Sequence, residues 1–441
     1  MSFITNIRSV AKYESKILVR SWFFRIFTLL AVVFLGFFNF AMMLMEDNFG
    51  LWFAKSVSSN IPYLNLLLLN TGQAVVAVFL SSEFLKRDKK LDTSEVFYVR
   101  PLSNAEYVIG KIWGNLRVFL LLNLLVLAIV LAFNFMASGI TVDWQAYGVY
   151  FLLISLPTLI FIIGLSIFLM LVLRNQALTF ILLLGYIGLT LFYIQDKFYY
   201  LFDYMVYNLP LFKSTIVGFS SLELILNHRA IYFFAGLGFI FFTIFLFKRL
   251  PNARRSHYPW LFLSLCMFLL AGTAGYRHVR SILREGEIRA LYTSINNKYV
   301  HEPKMAIDWY DISVEQKPET IRSVVGMKGT ALATSEIFTF CLNPGLKVGE
   351  VKEGEKPLDF KREEQILAVD FGRKIEKGDT ISLSICYEGR IKDDFCYLDI
   401  PEEVLQQPYD KEMLKLDKKY SFQTPDYVLF TPCLLYTSDA A

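Results

Sequence analysis

Few side chains in this 441-residue sequence could do chemistry. Its four histidines are His228, His257, His278 and His301. A zinc-hydrolase helix needs two histidines four residues apart, with a glutamate between them as base. The run VHEPKM at 300–305 supplies His301 and Glu302 but lacks the second His. No GxxxxGK(S/T) occurs, so the chain has no P-loop of its own to cradle nucleotide phosphates. The five cysteines include no CxxC, which argues against a zinc knuckle or a redox motif. Cys386 and Cys396 either pair across a hairpin in an oxidising compartment or stand as two ordinary strand thiols. Two polar sets remain. One is a group of amides inside apolar runs: Asn65, Asn70, Gln73, Asn123 and Asn134. The other is the charged stretch 87–114, RDKKLDTSEVFYVRPLSNAEYVIGKIWG.

That stretch has a readable local grammar. Asp92 can cap a helix, with Glu95 three residues on. The expected helix covers Thr93 to Val99 and carries Phe97 and Tyr98 between Glu95 and Arg100. Pro101 disfavours helical geometry at Arg100 and ends it. Ser103 then caps a second helix with Glu106 at its third position, an S-x-x-E capping box. This second helix runs through Lys111 into an apolar run, and Gly110 and Gly114 form a GxxxG where another helix could approach closely. The aromatic pair with charged flanks suits a protein–protein contact. It equally suits a solvated loop whose rings rest on a bilayer surface.

The elements that position these residues are set by composition. The chain is 55% hydrophobic, 16% aromatic and 19% charged, too apolar for a soluble domain, which must cover itself with polar groups. Seven runs reach or approach the ~20 residues that cross a bilayer: about 26–45, 61–80, 116–136, 149–173, 177–194, 230–247 and 259–276. No Asp, Glu, Lys, Arg or His is expected well inside any of them, so a proton- or ion-coupled mechanism has no evident carrier. The amides either join helices or contact a substrate. With the N-terminus inside, cytoplasmic segments carry 17 Lys+Arg and the opposite loops 4, which places 81–115 in the cytoplasm and everything after Tyr276 outside. Arg277, Arg280 and Arg284 oppose that rule at the seventh span. Residues 1–25 hold Phe3, Ile7, Val10, Tyr13 and Ile17 at helical spacing among basic residues. They read as an interfacial amphipathic helix or as an extension of the first span.

Charge divides the chain near residue 277. Up to Tyr276 there are 21 Lys+Arg and 12 Asp+Glu, and afterwards 23 and 28. The basic half is the apolar half, which points to anionic lipid and not to nucleic acid. Beyond a helical stalk at 277–304 the period changes to two. Phe338, Phe340 and Leu342 alternate, as do Leu367, Val369 and Phe371, and Ile381, Leu383, Ile385 and Tyr387. Turns are expected at 343–345, 353–354 and 377–379, giving an antiparallel sheet domain.

The stretch at 87–114 resembles the first cytoplasmic loop of ABC-2 type transporter permeases. Thr93, Glu95, Pro101, Ser103, Glu106, Gly110 and Lys111 carry the resemblance, which extends over residues 1–247. It implies a six-span permease domain (26–247) whose loop 81–115 is a coupling helix docking a separate ABC ATPase subunit. In that reading Thr93, Glu95, Phe97, Tyr98, Arg100, Pro101, Ser103, Glu106 and Lys111 form the coupling surface. ATP would be hydrolysed on the partner, and a second permease copy or homologue would complete the pathway. Residues 248–276 add a seventh span.

Residues 305–432 resemble the N-terminal β-domain of M1-family zinc aminopeptidases, through FCLNPGLKV at 340–348, KPLDF…ILAVDF and KGDTISLSICYEG. The order of parts is similar to permease–M1 fusions of Bacteroidetes-type bacteria. With neither HExxH nor a GAMEN-like loop, this chain is expected not to be an enzyme and to hold no cofactor, zinc belonging to a domain downstream. CLLYTSDAA at 433–441 resembles an in-frame translation of a transposase sequencing adapter, the alternative being a native tail. The biological sequence is expected to stop at Pro432 and the parent to continue into the zinc domain, so Cys433 carries no functional weight. The expected fold is an α-helical polytopic membrane protein, a six-span bundle plus a seventh span, followed by an extracytoplasmic antiparallel β-sandwich or saddle. The expected function is the permease component of an ABC-2 type exporter in a bacterial inner membrane. The rivals are a membrane-anchored M1 aminopeptidase fragment and a non-transporting membrane scaffold. The transported substrate is not legible.

Overall fold

A computed structural model of the chain describes residues 3–44, 58–87, 102–136, 141–194, 197–206, 209, 211, 213–214, 218–219, 222–247, 258–317, 320–392, 395, 422–423 and 428–429. It falls into two units: Met1–Leu211 with Leu222–Ser281, and Phe212–Ser221 with Ile282–Ala441.

The first unit is helical. Helix α1 (Phe3–Arg20) is followed directly by α2 (Trp22–Leu44), then α3 (Asn60–Arg87) and α4 (Asn104–Met136). Next come α5 (Trp144–Leu173), α6 (Gln176–Ile194), α7 (Leu222–Leu246) and α8 (Tyr258–Lys298). Helices α2 to α8 are long and apolar enough to cross a membrane, which makes the chain a membrane protein by length and composition. Burial separates the central helices from the outer ones. In its most apolar window α3 is 72% buried and α5 61%, against 22% for α2 and α6 and 17% for α8. Helix α8 is one continuous rod of 41 residues, about 60 Å at 1.5 Å per residue. The expected seventh span and stalk are therefore a single element.

Local chemistry sets the ends. Asp143 caps α5, accepting from the Ala146 amide at 3.0 Å. Arg174 closes it in the left-handed region (φ 55°), with its N–H on the Met170 carbonyl. Asn175 then caps α6 by accepting from the Leu178 amide at 3.2 Å. A two-residue corner thus turns one span into the next.

The second unit is built on antiparallel strands: β1 (Lys213–Ser214), β2 (Gly218–Phe219), β3 (Met305–Lys317), β4 (Thr320–Ala331), β5 (Ser335–Cys341), β6 (Leu346–Glu353), β7 (Lys356–Pro357), β8 (Asp359–Glu363), β9 (Ile366–Ile375) and β10 (Thr380–Gly389). Further pairs are β11 (Phe422–Gln423) with β12 (Val428–Leu429), and β1 with β2. A five-stranded sheet has the order β3-β4-β10-β6-β7, and a three-stranded one β5-β9-β8. In register, Ile385 lies opposite Val325, and Phe340 opposite Leu367. The inward residues of both sheets share one core, with Phe338, Phe371, Val325, Val369 and Ile375 fully buried. The turn glycines Gly354 and Gly378 take φ of 60° and 95°, which glycine alone adopts freely. The stalk end of α8 is fastened to this sheet unit. Gln365 donates to the Tyr292 carbonyl at 2.7 Å, and Lys298 and Tyr299 both donate to Glu363.

Candidate functional site

Three clusters in the helical unit gather polar side chains. The first begins at Ser103. The capping box forms as the spacing predicts: the Glu106 amide donates to Ser103 Oγ at 3.2 Å, and the Ser103 amide to Glu106 Oε2 at 2.6 Å. The free face of Glu106 is engaged as well, since Asn6 donates to its Oε1 at 2.9 Å. From there α1 lies across α4 at the two glycines. A Cβ at Gly110 would sit 2.7 Å from Val10 Cβ, and one at Gly114 2.8 Å from Glu14 Cβ, so only glycine permits this approach. Ser15 donates to the Gly114 carbonyl at 2.7 Å, and Arg117 donates to Ser15 Oγ and to the Ala11 carbonyl. Lys111 pairs with Glu14 at 3.4 Å, their side chains 3% and 4% exposed.

Lys111, expected on a docking surface, is thus spent inside a helix–helix joint. The buried face of α1 is Ala11, Glu14, Ser15 and Leu18. Of the apolar stripe the sequence suggested, Phe3 and Tyr13 remain exposed. Val10 of that stripe does face Gly110, and it is the rings that are left out, because the glycines bring the two backbones too close for them. Thr93, Glu95, Phe97, Tyr98, Arg100 and Pro101 lie outside the described residues.

The second cluster joins three of the five amides of the apolar runs in a closed ring. Asn70 Nδ2 donates to Ser155 Oγ (3.2 Å), and Ser155 to Asn123 Oδ1 (2.8 Å). Asn123 Nδ2 donates to Gln73 Oε1 (2.8 Å), and Gln73 Nε2 to Asn70 Oδ1 (2.6 Å). All four side chains are fully buried. Every bond in the ring points the same way, so each polarises the next. The ring ties α3, α4 and α5 together where α5 makes a π-turn at Phe151–Ser155. Asn65 stands apart, in a reciprocal amide pair with Asn39 of α2 at 2.7 and 2.9 Å. Asn134 meets Tyr147 at 3.4 Å. The amides bond one another and their own helices, which is the helix-joining alternative.

The third cluster corrects the expectation that no charge lies inside a span. Helix α7 starts at Leu222, eight residues before the expected span, because nothing between 222 and 230 breaks the helix. This brings His228 and Arg229 inside it, 0% and 2% exposed. Arg229 Nε donates to the Leu153 carbonyl at 2.7 Å. That carbonyl is available because Pro157, four residues on, has no N–H to give it. Nη1 donates to the Tyr204 carbonyl at 3.0 Å and Nη2 to Thr158 Oγ1 at 2.8 Å. Helices α5 and α7 come this close because Gly164 and Gly236 face each other's backbones. A Cβ at Gly164 would lie 2.7 Å from the Gly236 carbonyl oxygen. The guanidinium lies 5.6 Å from the centre of the Tyr232 ring, and that ring packs in one cluster with Phe161, Tyr204 and Tyr186, the last two stacked at 5.4 Å. His228 and His278 stand 5.0 Å apart, ring to ring. The sequence signal for this cluster was present in the helical spacing of Leu222, Ile225, Arg229 and Tyr232, running back from the apolar stretch.

Among the described residues, no three His, Cys, Asp or Glu side chains converge as a metal ion would need. Cys386 is a free thiol in β10, and Cys396 lies outside the described residues.

No protein-family model matches the chain, and no curated protein matches it. Among solved structures it is similar to an M1 zinc metallopeptidase from Deinococcus radiodurans, at 18% identity over 20% of this chain and 21% of that one, with a TM-score of 0.19. A complex of that metallopeptidase with a Tyr-Ser-Ala substrate gives 17% identity over the same shares and a TM-score of 0.18. The chain spans about a fifth of the length of those structures, and a likeness of this size says nothing of what it does.

Proposed function

We propose that the chain is the membrane-spanning component of an ABC-2 type exporter, driven by a separate ATPase that docks on the segment before Ser103. The observation that carries this reading is the joint between α1 and α4. Helix α4 runs unbroken from its cap at Ser103, through Glu106, Lys111 and Arg117, into a long apolar stretch. Helix α1 is locked to that same charged turn by Gly110, Gly114 and the Glu14–Lys111 pair. A push on the segment before Ser103 therefore moves two helices as one body. An anchor that only tethers a domain has no use for such a transmission.

In this reading the N-terminus and residues 81–115 face the cytoplasm of a bacterial inner membrane, and the sheet unit lies outside, an M1-like β-domain without peptidase activity of its own. ATP is bound by the partner, and a second copy or a homologue forms the other half of the pathway. Glu95, Phe97, Tyr98 and Arg100 are the contacts to the ATPase.

The test is ATP hydrolysis by the complex purified from its native membrane and reconstituted. Replacing Phe97 and Tyr98 with alanine is expected to uncouple or release the ATPase, while the chain stays folded. An ATPase rate and subunit stoichiometry unchanged by those substitutions would remove the assignment.

A further inference from the structure

Residues 197–206, which follow α6, carry an unfavourable backbone. Phe198, Tyr199 and Tyr200 have φ of 53°, 59° and 61°, and Val206 has 63°. An L side chain at such angles crowds the following carbonyl. Single left-handed residues occur at turns, but a run of them is not a stable local preference. It persists only where the surroundings hold it.

Side chains of three helices do the holding, and they grip main-chain carbonyls. His278 Nε2 bonds to the Tyr199 carbonyl at 2.8 Å, and His228 Nε2 to that of Tyr200 at 3.0 Å. The Tyr232 hydroxyl donates to the Leu201 carbonyl. Arg229 Nη1 and Thr158 Oγ1 both donate to the Tyr204 carbonyl, at 3.0 and 3.1 Å. A grip on carbonyls fixes a backbone conformation whatever side chains the segment bears. Within the grip Asp203, Tyr204, Met205 and Val206 are buried. The Tyr204 ring sits among Phe161, Tyr186 and Tyr232. Two buried polar atoms of the assembly, Tyr204 Oη and His228 Nδ1, have no hydrogen-bond partner. Orphaned polar atoms and left-handed backbone both raise the energy of this state. The clamp therefore works against a built-in tendency to let go.

We infer that residues 197–206 are a releasable segment seated among α5, α6, α7 and α8, with Arg229, His228, Tyr232 and His278 as its latch. The inference goes beyond the permease proposal and does not depend on it.

Hydrogen exchange of the full chain in lipid nanodiscs tests it, read on peptides covering 197–206. The amides there are paired locally, Leu201 to Phe198, Asp203 to Tyr200 and Val206 to Asp203, so their exchange reports opening of the segment. Arg229→Gln is expected to speed that exchange about tenfold or more, with α3 and α4 unchanged, and His278→Gln several-fold. Tyr199→Gly is expected to slow it several-fold, since glycine accepts this φ without crowding. The inference is overturned if Arg229→Gln leaves the segment unchanged, if it speeds α5 and α7 in parallel with the segment, or if Tyr199→Gly speeds it. None of these readouts involves an ATPase, so they fail or hold independently of the proposed function.

Discussion

The two units of this molecule build their surfaces and interiors differently. In the sheet unit the core is apolar and the charge is outside: Phe338, Leu367, Val369 and Phe371 are buried, while the Lys298–Glu363 pair lies at 59% and 44% exposure. In the helical unit large apolar side chains also face outward, Phe37 at 69% and Phe192 at 86% exposure, and the interior mixes apolar Leu66, Phe119 and Ile162 with Asn70, Gln73, Asn123, Lys111 and Arg229. The difference is the one expected if lipid surrounds the helical unit and water the sheet unit. Water drives apolar groups together in the sheet unit. Lipid gives no such drive, so polar contacts and close glycine packing select which helix faces meet.

If this contrast is real, the two units break by different substitutions. The largest effects should be Phe338→Ala in the sheet core, costing about 3–5 kcal/mol as a cavity, and Lys111→Ala in the helical unit. The latter takes the paired cation away from the buried Glu14 carboxylate and costs about 3–5 kcal/mol. Combining Lys111→Met with Glu14→Leu should recover most of that loss in SDS-unfolding assays, because a removed pair leaves no orphan charge. A middle-sized effect is expected in the amide ring. Asn123→Leu should cost roughly 1–2 kcal/mol, and a double-mutant cycle between Asn70 and Ser155 should show non-additivity. By contrast Leu125→Ala, on the exposed side of the same helix, should stay within about 0.5 kcal/mol.

The smallest effect is a pH dependence in the sheet unit. Hydrogen bonds from Lys298 and Tyr299 hold the Glu363 carboxyl below its usual range. A depressed carboxylate adds stability above its unfolded pKa and loses it as pH falls through the folded one. The fastening of the stalk to β8 should therefore weaken on acidification below about pH 4, and Glu363→Gln should flatten that dependence in hydrogen exchange of residues 292–299. Burial pushes the Cys341 thiol up to about 12. At neutral pH it should accordingly react with thiol reagents orders of magnitude more slowly than an ordinary cysteine.

How far the sequence could be read differs between the units for the same reason. In β5, β9 and β10 the alternation of Phe, Leu, Val and Ile announces the inward face, and those residues form the core. Strand β4 escaped notice because Ser323, Gly329 and Ala331 occupy inward positions that read as polar or small. Strand β3 is an edge strand with one neighbour, and most of its residues are exposed. Seven apolar runs were plain from hydropathy, as was the Ser103–Glu106 box, which is a local interaction. Hydropathy could not show that Asn70, Gln73, Asn123 and Ser155 close a ring, since that depends on the packing of three helices. It also hid Arg229. A charge at the edge of an apolar run looks like a loop residue until a proline on another helix is seen to free the carbonyl it binds.

The account rests on which side of a membrane each unit faces. Single cysteines at Phe97 and Lys347, in a chain lacking its own cysteines, can be probed with a membrane-impermeant maleimide on intact cells. The account predicts labelling of the Lys347→Cys variant from outside, and of the Phe97→Cys variant only after the inner membrane is opened. Labelling of Phe97→Cys on intact cells would put the docking segment out of reach of any cytoplasmic ATPase and contradict it.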